Sequence, residues 1–240
     1  MRNTTSKLFF SFLYPSLFVI ILWGIKLFEE VEKVNLAWYG LYPRRIDGLI
    51  GILTAPLLHG DFSHLLSNSL PLMILGPIIF YFYRSIAFSV FMWVYLMTGV
   101  WVWVAGAANY HIGASGLVYG FITFLFFSGV FRKDTRLLSL SLFVTFLYGS
   151  AVWGVFPIMR GISWESHLLG SLAGLITAYN FRKEGPPPRK YDFGDDLENE
   201  MIDVSGDEQL IPEEEHSEDG ENLPGKVSVQ YTFIEKEKDQ

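Results

Sequence analysis

"YHIGASGLVYG", Tyr110–Gly120, stands between two long apolar runs. Three glycines and one serine occupy the point where a membrane-spanning helix should begin. The stretch asks for a chain that drops into a bundle and starts a helix below the membrane surface, with a hydroxyl at its first turn. Whether that reading holds depends on what surrounds it.

The surroundings favour a bilayer. Half of the 240 residues are hydrophobic and 17% are aromatic, too apolar for an ordinary soluble domain of this size. A spanning helix needs about 20 predominantly apolar residues, and the chain offers several such runs. The net charge of −7 hides two regimes. Residues 1–181 carry 11 Lys and Arg against 7 Asp and Glu, and residues 182–240 carry 7 against 18. A weakly basic membrane body is thus followed by an acidic, proline-containing tail, expected to be largely disordered and cytoplasmic. The tail argues against nucleic acid as a partner. The absence of cysteine excludes disulfides, thiolate nucleophiles and cysteine-based metal sites.

Six spans are expected. Segment one covers about Leu8–Leu27, with Pro15 expected to kink it. It reads as a retained helix, because no small-residue cleavage site follows. Residues 28–63 read as an ordered interfacial connection, in which apolar and aromatic residues alternate with breakers. His64–Tyr83, Ile86–Ala108, Ser115–Phe131, Leu137–Phe156 and His167–Phe181 complete the set. The fold expected is therefore an all-α membrane protein, a six-helix bundle over residues 1–181 followed by a tail over residues 182–240. Within the tail, "KVSVQYTFIEK" alternates with period two and fits a short strand, although a residual apolar patch is the simpler reading.

Loop charges place both termini in the cytoplasm by the positive-inside rule. His64 and Asn68 on segment two, Ser115 on segment four and His167 on segment six then share the outer end of the bundle. Polar side chains within spans are costly and usually face a protein interior or cavity. His64 and Asn68 lie on one helix face. Gly116 and Gly120 on segment four, and Gly170 and Gly174 on segment six, have the spacing that lets helices approach closely. If those faces meet, the Ser115 hydroxyl comes within reach of the His167 imidazole.

A serine becomes a nucleophile when a base takes its proton, and His167 is the natural base. The Ser115 amide, the Asn68 amide and the His64 ring are candidate donors to an oxyanion. No carboxylate is placed to orient His167, so a dyad is expected, with Tyr119 packing under the imidazole. Each feature has a plainer reading: small residues as packing contacts, HxxxN as interhelical glue, and His59 and His111 as interfacial loop residues.

Taken together, "GASGLVYG", "HLLSN" after "LLHGDFS", and "HLLGSLAG" resemble the rhomboid intramembrane serine proteases. The resemblance covers about residues 8–181. It implies a six-helix core, Ser115 and His167 as the catalytic pair, and His64 and Asn68 beside Ser115 at the oxyanion. It also implies supporting roles for Gly113, Gly116, Gly170 and Gly174. The substrates implied are transmembrane segments of other proteins, entering beside segment five with "PIMRGISWES" as a lid. The Trp-Arg pair common in the family's first loop is absent, and "YPRR" is the nearest stretch. No metal or cofactor is expected. The setting expected is a bacterial plasma membrane, with the site near its outer face. A second reading is a catalytically silent rhomboid-like protein that binds membrane clients. A transporter is less supported, because no carboxylate lies within segments two to six and no inverted repeat is visible. A zinc site lacks ligands.

Overall fold

The computed structural model describes residues 4–147, 154–156 and 163–185. The expected tail and its strand-like piece, and most of "PIMRGISWES", lie outside the described residues. Helices dominate: α1 (Thr4–Glu32), α2 (Gly51–Thr54), α3 (Phe62–Phe82), α4 (Ala87–Ala105), α5 (Ser115–Arg132), α6 (Thr135–Leu147) and α7 (Trp164–Asn180). Among the described residues the sole β feature is an isolated antiparallel bridge, Leu41 with His111. Among the described residues four helices, α1, α3, α4 and α5, are long and apolar enough to cross a membrane. The chain is an all-α, multi-pass membrane bundle. The fifth and sixth expected spans correspond to α6 and α7, with 13 and 17 residues.

Segment one is longer than expected. Glu29, Glu30 and Glu32 suggested an end near Leu27, yet α1 continues to Glu32. Lys26 explains why: its ammonium lies 3.0 Å from a carboxylate oxygen of both Glu29 and Glu30. Ion pairs three and four residues apart sit on one helix face and support the turn that carries them. The described part of α6 ends at Leu147, and Gly154 and Val155, within the expected fifth span, form a 3-10 turn.

Helices α1 and α3 run antiparallel. Lys26 donates to the Gly60 carbonyl at 3.0 Å, the Trp23 indole donates to Ser69 Oγ at 3.1 Å, and the Tyr14 and Phe80 rings lie 5.3 Å apart. Most of the outer face of α1 is apolar and exposed, as at Phe9, Ile20 and Ile21. Lipid tails are as apolar as these side chains, so such a surface is at rest in a bilayer.

The connection from α1 to α3 is ordered and folds back over the site end of the bundle. Its turns, Leu36–Tyr39, Asp47–Ile50 and Ala55–Leu57, are short 3-10 segments around α2. Arg44 covers the C-terminus of α4, donating to the carbonyls of Val104 and Gly106 at 3.2 and 2.9 Å. Those carbonyls have no intrahelical partner, and a cation is favoured there. At the opposite end, Arg132 links three helix ends. Its Nη2 donates to the Phe181 carbonyl at 2.6 Å, its Nε donates to Ser128 Oγ at 3.1 Å, and its guanidinium lies 5.4 Å from the Tyr83 ring centre.

Candidate active site

Helix α5 begins at Ser115, two residues after Gly113, whose φ of +109° is a backbone state that L side chains avoid. A side chain there is also excluded by space. A Cβ on Gly113 would lie 2.6 Å from His64 Nε2 and 3.7 Å from Asn68 Nδ2. The glycine thus lets the chain pass beside both residues of HxxxN immediately before the serine. Ala114 provides no side-chain cap for α5. The amides of Leu117 and Val118 donate to the Ala114 carbonyl, which leaves those of Ser115 and Gly116 without an intrahelical acceptor. They are oriented donors at the serine.

The small faces of α5 and α7 meet. A Cβ on Gly170 would come 2.2 Å from the Gly116 carbonyl oxygen, and one on Gly174 would come 2.1 Å from that of Gly120. The two backbones are in direct contact. This seam sets the start of α5 against the first turns of α7, where His167 is buried.

The His167 ring is held from two sides. It stacks on Tyr119, with ring centres 4.1 Å apart and planes 8° from parallel. Its Nδ1 lies 2.9 Å from the Gly154 carbonyl oxygen. A carbonyl only accepts, so Nδ1 carries the proton and the lone pair of the neutral ring falls on Nε2. Tyr119 lies one helical turn beyond Ser115, on the same face of α5. The imidazole therefore sits over the face that bears Ser115. Asn68 is buried, and its Nδ2 donates to the His64 carbonyl at 3.0 Å, which leaves its second N–H uncommitted by that bond.

Two histidines depart from the sequence reading. His59 and His111, expected as interfacial loop residues, are 3% and 5% exposed. His59 Nε2 accepts a long hydrogen bond from the Ala114 amide at 3.4 Å, and its ring meets that of His64 edge-on at 5.1 Å. Burial first, and the neighbouring His64 second, push the His59 imidazole down to about 4, so it is neutral at pH 7. His111 Nε2 donates to the Ala107 carbonyl at 3.0 Å, which leaves Nδ1 to accept from Ser163 Oγ at 2.5 Å. Ser163 in turn caps α7: its Oγ lies 2.7 Å from Ser166 Oγ and 3.4 Å from the Ser166 amide. The loop before the serine and the helix bearing His167 are thus tied together through a hydrogen-bonded His–Ser pair. Sequence spacing gave no hint of this tie, because 52 positions separate its members.

Two cavities adjoin the site. A polar one of about 390 Å³ is bordered by Lys26, Glu29, Lys33, His59 and Ile112. A smaller one of about 30 Å³ lies behind Gly116, with Thr98, His111 and Ser166 on its walls. It has room for a water molecule or two. Thr98 Oγ1, which borders it, is buried without a partner among the described residues. No cluster of potential metal ligands occurs among the described residues.

The family model described as "Rhomboid domain" matches residues 47–184. An uncharacterized protein of Mycobacterium tuberculosis is 34% identical over 176 residues, 68% of this chain and 71% of its own length. An uncharacterized protein of Mycobacterium leprae is 33% identical over 178 residues, 68% of each chain. YdcA of Bacillus subtilis, provisionally named a rhomboid protease, is 29% identical over 133 residues, 53% of this chain and 65% of its own.

Proposed function

The chain belongs to the rhomboid family, and from that premise we propose that it is an intramembrane serine endopeptidase with six spans. Its substrates are transmembrane segments of other membrane proteins, cut by Ser115 and His167. The observation that carries this reading is the state of the His167 ring. Held by the Gly154 carbonyl and stacked on Tyr119, which lies one turn beyond Ser115, it carries its proton on Nδ1 and keeps its lone pair on Nε2.

In the first step Nε2 takes the proton of Ser115 Oγ as the oxygen bonds to the scissile carbonyl carbon. The carbonyl oxygen becomes an oxyanion, facing the Ser115 amide, the Asn68 amide and His64. The imidazolium then gives its proton to the departing peptide nitrogen, leaving an ester on Ser115. Water enters from the polar side of the site, loses a proton to Nε2 and attacks the ester. A carboxylate leaves, and the serine recovers its proton. A peptide inside a helix shields its carbonyl, so cleavage favours segments weakened by glycine or proline. In this reading both termini are cytoplasmic, the site opens toward the outer face of a bacterial plasma membrane, and substrate enters beside α6.

The His111–Ser163 pair is already hydrogen-bonded, and it marks a second possible catalytic pair. One fact favours Ser115: Ser163 Oγ is engaged in capping α7. The deciding assay uses the full chain in liposomes with a fluorescent single-span substrate. Ser115→Ala and His167→Ala are expected to lower cleavage by about 10⁴-fold or more, and Ser163→Ala is expected to retain most of it. Cleavage that survives in Ser115→Ala removes the proposal. Client binding with no cleavage by the unaltered chain identifies a silent binding protein instead.

A further inference from the structure

Lys7 near the start of α1 and Arg84 just after α3 face one cavity of about 190 Å³, at the end of the bundle opposite Ser115. Among the described residues neither forms an ion pair; the pairs present involve Lys26 and Arg45. Arg84 lies over the Phe10 ring at 5.9 Å and makes no hydrogen bond among the described residues. Tyr14, Phe80 and Phe88 separate this cavity from a second one of about 220 Å³ and line both. The second cavity is walled by apolar and aromatic side chains and rises to Ile21 on α1 and Leu117 on α5. A cavity of about 150 Å³ already admits a benzene-sized ligand.

The two cavities lie end to end along α1 and share the packed Tyr14, Phe80 and Phe88 rings, which make a slot with a cationic outer chamber and an apolar inner one. From Lys7 to Ile21 is about 21 Å at 1.5 Å per residue; with Lys7 at headgroup level, outside a roughly 30 Å hydrocarbon core, Ile21 falls near the core's middle. The slot thus extends from headgroup level to about the middle of the membrane, the reach of one acyl chain. Two uncommitted cations at its mouth call for a phosphate, and a purely apolar channel below them calls for hydrocarbon. An acidic peptide would satisfy the first and leave the second empty.

We propose that this slot binds an anionic phospholipid, its phosphate between Lys7 and Arg84 and one acyl chain between α1, α3 and α4. The lipid comes from the leaflet on the side opposite the candidate active site. It fills a gap between α1 and the rest of the bundle, at the contact where Gly76 meets Pro15.

Native mass spectrometry of the full chain, titrated with phosphatidylglycerol, phosphatidylcholine or glycerol 3-phosphate, tests this. Phosphatidylglycerol is expected to bind about tenfold more tightly than phosphatidylcholine of the same chain length. Lys7→Gln with Arg84→Gln should abolish that preference, whereas Lys7→Arg with Arg84→Lys should keep it. Leu17→Trp, which fills the slot, should weaken both lipids alike. Glycerol 3-phosphate should not compete. Equal binding of the two lipids by the unaltered chain overturns the proposal, as does an unchanged preference in the double glutamine variant. Displacement by glycerol 3-phosphate at comparable concentration overturns it too, by revealing a soluble-phosphate site. Indifference to Leu17→Trp removes the acyl slot.

Discussion

Between α5 and α7 no side chain separates the two backbones. Between α1 and its neighbours almost everything is side chain: Tyr14 against Phe80 and Phe88, Phe18 against Phe91, Pro15 against Gly76. The first contact fixes two helices to a fraction of an ångström, because carbonyl oxygens occupy the places where Cβ atoms would go. The second fills space with large rings and leaves a slot. The candidate chemistry sits on the first. In membranes, close backbone approach substitutes for the hydrophobic drive that lipid cannot supply, and it is also the stiffest way to hold a base near a nucleophile.

The sharpest way to break this contrast is one substitution made on both sides. Gly170→Ala puts a methyl 2.2 Å from the Gly116 carbonyl oxygen, and backbone must move to admit it. We expect a loss of more than about 3 kcal/mol in thermal or denaturant unfolding. Gly24→Ala in α1 meets nothing within 4 Å and is expected to raise stability by about 0.5 kcal/mol or more. If the two changes cost the same, the seam is not what holds the bundle.

Acid separates the two regions next. His59 is neutral in the fold, held down to about 4, while an unfolded histidine titrates near 6.5. Between those values the unfolded chain binds more protons, so stability is complete above about pH 6.5 and falls as pH drops toward 4. The expected loss is about 3 kcal/mol by pH 4, read from unfolding midpoints across that range. His59→Asn should flatten this part of the profile. An identical pH profile in His59→Asn would rule this histidine out as the source.

The smallest expected effect lies at Tyr119. Tyr119→Leu removes the ring stacked on His167, at a cost of about 1 kcal/mol in stability. If the stack positions the base, kcat should fall by more than that stability loss accounts for, with KM nearly unchanged. Equal losses would reduce Tyr119 to packing alone.

How much of this was legible in the sequence follows from how local each cause is. The glycine seam was readable because four-residue spacing on two helices is a property of each helix by itself. The bounds of α3, α4 and α5 were readable for the same reason. The end of α1 was misjudged because charge was taken as a breaker, when Lys26 neutralises the acidic turn from one turn earlier. The burial of His59 and His111 was not readable. It arises because the α1–α3 connection folds over the site, with Leu41 pairing with His111 and the Gly113 amide donating to the Ala55 carbonyl at 2.8 Å. Gly154 as the partner of His167 was equally hidden, since a backbone carbonyl leaves no mark in residue type. Of "YPRR", Arg44 proves to be the cap of α4, and Arg45 pairs with Asp47.

Arg132 has a mechanical consequence. The chain continues past residue 185 from beside its guanidinium: a Cβ on Gly185 would lie 2.8 Å from Nη2. Tension applied to the following residues therefore loads a joint shared by the ends of α3, α5 and α7. A tug on one terminus is divided among three rods, two of which carry the proposed nucleophile and base at their far tips.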